Sequence, residues 1–163
     1  MLYKARYATV CRVNTLTYSQ RGLDLTKRFE AAGGPNLTAY WDDKGHCWTI
    51  GYGHTGPDVH QGLTWVVDQC NAALVRDVQF AEHCVNTLVT VALSQNQFDA
   101  LVDFVFNEGC GNFKQSSLLR FLNKGFIAQA SAEFPKWHFA GGVDMPGLLV
   151  RRLAERTLFD SAA

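Results

Sequence analysis

Residues Arg28-Phe-Glu-Ala-Ala-Gly-Gly-Pro-Asn-Leu-Thr-Ala-Tyr-Trp-Asp-Asp-Lys-Gly-His-Cys-Trp-Thr-Ile-Gly-Tyr-Gly-His54 decide how this chain is organised. The stretch opens as the end of a helix: Ser19 is a residue type that caps N-termini, and Leu23, Leu25 and Phe29 behind it mark one apolar side. Gly33-Gly34-Pro35 stops that helix, since Gly loosens the backbone and Pro cannot continue the hydrogen-bond ladder. From Leu37 to Tyr52, β-formers (Thr38, Tyr40, Trp41, Trp48, Thr49, Ile50) flank Asp43-Lys44-Gly45, which predicts a hairpin. Gly51 and Gly53 permit close backbone approach along one of its edges. Acids stand on both sides of the break, Glu30 where the helix stops and Asp42 and Asp43 at the end of the first strand. Thr49 lies on the returning strand, roughly across from them. Two carboxyl groups separated by a backbone reversal can face one another across a substrate, as glycosidic bond cleavage requires.

Beyond the hairpin the pattern turns helical. Thr64 to about Leu88 carries Val67, Cys70, Ala73, Leu74, Ala81, Cys84 and Val85 at helical spacing and predicts one long helix able to bridge two lobes. Ser94-Gln-Asn-Gln97 matches a capping box ahead of a buried helix with Phe98, Leu101, Val102, Val105 and Phe106, ended by Gly109-Cys110-Gly111. Short helices follow from Ser116 or Ser117 to Gly125 and from Ile127 to Phe134. Pro146 suits the first turn of a last helix holding Leu149, Leu153 and Leu158. One helix, a small sheet and about five helices make an α+β chain, with a cleft expected between a small β-containing lobe and a larger helical one. Residues 1–18 show no period and are read as a basic N-terminal arm, with residues 19–163 as the folded domain.

The chain has 163 residues, 47% of them hydrophobic, enough for one well-buried core. Its 15 basic and 15 acidic residues cancel, so no global field points to nucleic acid. The cations are uneven, with Lys4, Arg6, Arg12 and Arg21 before any anion, and Arg151, Arg152 and Arg156 near the end. Five scattered cysteines (Cys11, Cys47, Cys70, Cys84, Cys110) suit neither a disulfide scaffold nor zinc spacing. On one continuous helix, Cys70 and Cys84 would lie roughly 21 Å apart, beyond bonding reach. Reduced thiols acting as small core residues are the expectation, with the pairing of the others left open. No run reaches the ~18 apolar residues of a membrane span, and Met1 to Arg12 lacks the apolar stretch of a signal peptide.

Glu30 follows an apolar residue at a helix C-terminus, where the dipole disfavours negative charge and burial would favour the acid form. Asp42, beside a solvent-facing turn, is placed to stay ionised, and unequal environments are what separate a proton donor from a base. His54 is read as a structural histidine paired with a neighbouring acid. Arg151 and Arg152 either support the Glu30 carboxylate or the lobe junction, or are solvated on the last helix.

Phe29-Glu30, Leu37-Thr-Ala-Tyr-Trp-Asp42 and Trp48-Thr-Ile-Gly-Tyr-Gly-His-Thr-Gly56 resemble the active-site region of phage-type lysozymes, the endolysins of glycoside hydrolase family 24. The likeness continues through Gln97 to Phe113, Ser116-Ser-Leu-Leu119 and Pro146 to Glu155, covering about residues 19 to 160. It implies a lysozyme-like fold and a muramidase cleaving the β-1,4 bond between N-acetylmuramic acid and N-acetylglucosamine in peptidoglycan. The implied catalytic set is Glu30 as proton donor, with Asp42 and Thr49 holding or activating water on the opposite face. Phe106 and Ser117 match positions lining the saccharide cleft, and Ser131 aligns with a third. No metal or cofactor is implied. The resemblance implies a monomer that waits in the host cytoplasm until a holin-like partner opens the way to the periplasmic wall.

Two departures stand out. Ala31-Ala-Gly33 adds about three residues between Glu30 and the first strand, which could extend the helix, bulge as a loop or move Glu30 away. The turn before Thr49 is one residue longer, so counting back from Thr49 selects Asp43 and counting along Tyr40-x-Asp selects Asp42. Asp42 is preferred, because turns absorb insertions more easily than strands. Thr55 stands where relatives place an apolar substrate contact. A lytic transglycosylase, or a wall-binding protein impaired by the insertion, are the alternatives.

Overall fold

The computed structural model describes residues 14–162. The first helix, α1 (Gln20–Glu30), starts where the sequence predicts, with the Ser19 hydroxyl accepting from the Gly22 backbone N–H. The Tyr18 ring folds over Gly22 so closely that a Cβ there would lie 2.2 Å from it. Its hydroxyl donates to the Gly22 carbonyl at 2.8 Å. The helix ends at Glu30, and the residues after it form a turn closed by Gly34 N–H on the Ala31 carbonyl at 2.9 Å, with Gly34 at φ +99°. The extra residues therefore bulge as a turn and add nothing to the helix.

Strands β1 (Asn36–Asp42), β2 (Cys47–Gly51) and β3 (His54–Thr55) form an antiparallel sheet in that order. Tyr40 pairs with Thr49, Trp41 with Trp48 and Asp42 with Cys47, while Thr49 pairs with Thr55 on its other side. Ala39, Ile50 and Val59 form a small core of this lobe, sealed by Trp48, Leu63 and Trp65.

The segment expected as one helix from Thr64 to Leu88 is two, α2 (Val67–Asp77) and α3 (Gln79–Leu88). The break falls at Val78, which is buried and carries no Gly or Pro signal. Helix α4 (Gln95–Glu108) has the expected capping box: Ser94 Oγ accepts from Gln97 N–H, and Gln97 Oε1 accepts from Ser94 N–H at 3.0 Å. It runs through the middle of the larger lobe, with Phe98 and every residue from Ala100 to Val105 fully buried. Gly109, at φ +84°, turns the chain into a short helix the sequence reading missed, α5 (Cys110–Gln115). That turn brings Cys110 back to α3, where it forms a disulfide with Cys84. The expectation of reduced thiols is thus corrected for these two cysteines. The geometry that joins them is tertiary and leaves no mark in their spacing. Among the described residues, Cys47 and Cys70 form no disulfide.

Helices α6 (Ser117–Asn123) and α7 (Ile127–Ser131) and a 3-10 turn (Phe134–Lys136) complete the helical wall. A second small hairpin, β4 (Phe139–Ala140) and β5 (Val143–Asp144), also escaped the sequence reading. Pro146 opens the last helix, α8 (Pro146–Asp160), as expected. Residues 14–18 pack against the domain: Asn14 donates to the Val91 carbonyl at 2.8 Å, and Asn86 to that of Leu16 at 2.8 Å. The rest of the basic arm, residues 1–13, lies outside the described residues.

Candidate active site

Glu30 is the last residue of α1, and its side chain is about one quarter exposed. It borders a pocket of about 430 Å³ whose walls include Phe29, Asn107, Met145, Gly147 and Arg151. One carboxylate oxygen, Oε1, accepts from Arg151 Nη1 at 2.7 Å. The other lies near Gly53, in the turn between β2 and β3, where an added Cβ would lie 3.9 Å from Oε2. The Glu30 surroundings are thus an ion pair at the mouth of a pocket, where the sequence suggested plain burial.

Arg151 is itself buried and held by several groups. Its Nε and Nη2 each donate to Asp103 at 3.0 Å, and Phe29 lies under the guanidinium at 5.6 Å. Asp103 is fully buried and also accepts from the Thr26 hydroxyl at 2.7 Å, which in turn meets the Tyr18 hydroxyl at 2.8 Å. Burial alone would raise the Asp103 carboxyl, but the Arg151 charge and hydrogen bonds, with Glu155 and Thr26, outweigh it and hold it below the ordinary range. Burial works against Arg151 as well, yet Asp103, Glu30 and Glu155 keep its proton more firmly bound than usual.

Glu155 lies deeper, with Oε1 accepting from Arg152 Nη2 at 2.6 Å. As a carboxylate it would leave Oε2 buried without a donor. Burial raises it well above the ordinary range, and as a neutral acid it can donate to Asp103. Arg152, whose affinity for its proton burial lowers, also bonds Glu108 at 2.8 Å and Asn107 at 2.9 Å. Both arginines are therefore structural parts of the domain and not solvated side chains.

The second cluster sits on the hairpin. Pairing of Asp42 with Cys47 and of Tyr40 with Thr49 places all four side chains on one face, because paired residues share a face and alternate residues return to it. Cys47 Sγ lies 3.9 Å from Thr49 Oγ1, as that alternation requires. Asp42 Oδ1 accepts from the Lys44 N–H at 3.0 Å, anchoring the carboxylate at the strand end, and Thr49 is buried. Asp43 is exposed in the turn. His54 is structural, as read: Nδ1 lies 2.9 Å from Asp77 of α2 and Nε2 3.3 Å from Asp58.

None of the three expected saccharide contacts lines the Glu30 pocket. Phe106 is half-buried in the last turn of α4, its ring 6.3 Å from that of Phe80. Ser117 opens α6 and accepts from Arg120 at 3.0 Å. Ser131 is buried against α8, donating to Asp160 at 2.8 Å and accepting from Arg156 at 3.1 Å. Sequence reasoning missed Asp103, Thr26 and Glu155, although an acid in the run Leu101-Val-Asp-Phe-Val105 is the signal of a buried charge needing a partner.

A small β-lobe against a helical lobe, with a carboxyl group at the end of the first helix tied to the last helix, defines a lysozyme-like protein. The chain belongs to the phage lysozyme family, whose profile matches residues 28–155. It is 46% identical over 145 residues to an endolysin of Bacillus phage PZA, which covers 88% of this chain and 55% of that protein. An endolysin of Acyrthosiphon pisum secondary endosymbiont phage 1 is 43% identical over 148 residues, covering 88% of this chain and 98% of its own. Among solved structures, the muramidase domain of SpmX from Asticaccaulis excentricus superposes with a TM-score of 0.81 at 35% identity, covering 90% of this chain and 99% of that one. The chain spans about half the length of the Bacillus phage relatives it matches.

Proposed function

We propose that this chain is a muramidase that hydrolyses the β-1,4 bond between N-acetylmuramic acid and N-acetylglucosamine in peptidoglycan during phage lysis. The observation that carries the reading is Glu30, a carboxyl group fixed at 2.7 Å by Arg151 in the lining of a pocket, with its other oxygen beside Gly53 in the turn that follows the Thr49 strand. Glu30 donates a proton to the leaving glycosidic oxygen. Asp42 and Thr49 hold and activate water for attack from the opposite face of the sugar, the inverting route of glycoside hydrolysis. Asp42 is preferred to Asp43 because it shares a strand face with Thr49, whereas Asp43 projects from the turn.

Phe106, Ser117 and Ser131 are proposed as contacts to glycan farther from the cut, and for Ser131 this means exchanging bonds with Asp160 and Arg156. The chemistry needs no metal or cofactor, since protein carboxyl groups supply both proton transfers. The enzyme acts as a monomer, held in the host cytoplasm until a holin-like protein gives access to the wall. No helix among the described residues is long and apolar enough to cross a membrane. Mass spectrometry of digested sacculi tests the reaction: hydrolysis leaves free reducing ends on muramic acid, while an anhydro sugar product would make the protein a lytic transglycosylase instead.

A further inference from the structure

An acid that must deliver a proton is poorly served by an arginine of its own. A guanidinium at hydrogen-bond distance favours the carboxylate over the acid form, and it does so strongly where water is excluded. Arg151 is 5% exposed and lies 2.7 Å from Glu30. In this chain, however, the arginine is shared. Asp103 takes Nε and Nη2 of the guanidinium, both at 3.0 Å, and only Nη1 turns to Glu30.

We infer that Asp103 is a positioning residue of the Glu30 site: it fixes Arg151 in a two-point grip and balances its charge, so that Glu30 is held in place yet remains able to carry the proton it delivers. The inference rests on the reading of Glu30 as the acid. It deepens that reading by naming the group that sets its proton balance. Asp103 touches no substrate and acts only through Arg151.

The titratable and charged groups joined to this centre come from three helices. From α1 there is Glu30 itself; from α4, Asp103, with Glu108 farther off on Arg152; from α8, Arg151, Arg152 and the neutral acid Glu155. On the side of the sheet, the residue near Oε2 is the uncharged Gly53 of the β2–β3 turn. Thr26 and Tyr18 add neutral hydroxyls that hold Asp103 from behind. Removing the negative charge of Asp103 leaves the positive charge of Arg151 to Glu30 and also removes a repulsion between two carboxylates. Both changes favour ionised Glu30.

The test is the pH dependence of the initial rate on purified sacculi at fixed ionic strength, with folding checked by thermal melting. The alkaline limb of such a profile reports the essential acid of the free enzyme. In Asp103→Asn the limb moves to lower pH by roughly one unit. In the charge-balanced double variant Asp103→Asn/Arg151→Gln, which also serves if the single variant does not fold, the limb lies at or above its original pH while the rate falls roughly tenfold through lost positioning. A limb that stays in place in Asp103→Asn, or one that drops below the original in the double variant, overturns the inference. The two readings fail separately. A Glu30→Gln variant that still clears sacculi removes the acid assignment, whereas an inactive Glu30→Gln beside an unmoved Asp103→Asn profile removes only the role of Asp103.

Discussion

Arg151 Nη1 donates to Glu30 Oε1 at 2.7 Å, joining the last turn of the first helix to the last helix of the chain across 121 positions of sequence. The same guanidinium is gripped by Asp103 of the central helix, so three helices meet at one buried cation. Breaking a buried pair from one side leaves an uncompensated charge, which costs on the order of 3–5 kcal/mol. Arg151→Ala is therefore expected to be destabilised by that amount, with Asp103 left unpaired, and a shift of the urea unfolding midpoint measures it. A variant within about 1 kcal/mol of the parent would show that the cluster contributes little.

The two buried carboxyl groups of this cluster respond to pH with opposite signs. Asp103 is held below its ordinary range in the folded state. Its contribution is therefore present above the unfolded value near pH 4 and is lost as pH falls through the lower folded value. Glu155 is raised in the folded state, so its contribution is complete below the unfolded value near 4.3 and is lost as pH rises towards the folded one. Glu155→Gln copies the neutral acid, keeping an acceptor for Arg152 and a donor for Asp103. It is expected to match the parent at pH 4 and to equal or exceed its stability at neutral pH. Thermal melts across that range check the sign. A Gln variant that loses stability as pH rises would mean that Glu155 is ionised.

Gly45 tests which aspartate works with Thr49. A Cβ on this residue would lie 2.9 Å from Asp42 Oδ2 and 3.1 Å from Cys47 Sγ, so Gly45→Ala must displace the Asp42 carboxylate while leaving Asp43 untouched. The expected result is a fold of unchanged melting behaviour with clearing of sacculi reduced roughly ten- to a hundredfold. Full activity in this variant would favour Asp43.

The helix, hairpin and helices order was legible because capping residues, Gly-Gly-Pro and the β-rich run are local signals. Ser19, Ser94 with Gln97, and Pro146 each mark a helix start by their own chemistry. The break at Val78 was not legible, since it is set by packing and no Gly or Pro marks it. Strands of two residues, as in Phe139–Ala140 and Val143–Asp144, are too short to show a period. Glu30 stood out by its place at a helix end, but its partner lies far along the chain. Only the pairing of lone buried charges, Asp103 with Arg151, could have linked the two.

The bond between Cys84 and Cys110 was invisible for the same reason, since Gly109 must first turn the chain back on α3. It closes a loop with a sequence separation of 26, for which chain entropy gives about 3.5 kcal/mol. Cys84→Ser/Cys110→Ser is expected to lose up to that amount, read as a lower urea midpoint, and the parent is expected to lose as much on reduction. If reductant left the midpoint unchanged, the bond would contribute nothing to the stability of the fold.

Glu30→Gln is the most direct probe of the central claim, because it keeps the shape of the side chain and an acceptor for Arg151 while removing the proton that catalysis needs. The rate of sacculus clearing, measured beside a melting curve that shows the fold intact, is expected to fall by at least about a hundredfold. A folded Glu30→Gln protein that clears sacculi at the parent rate would contradict the account.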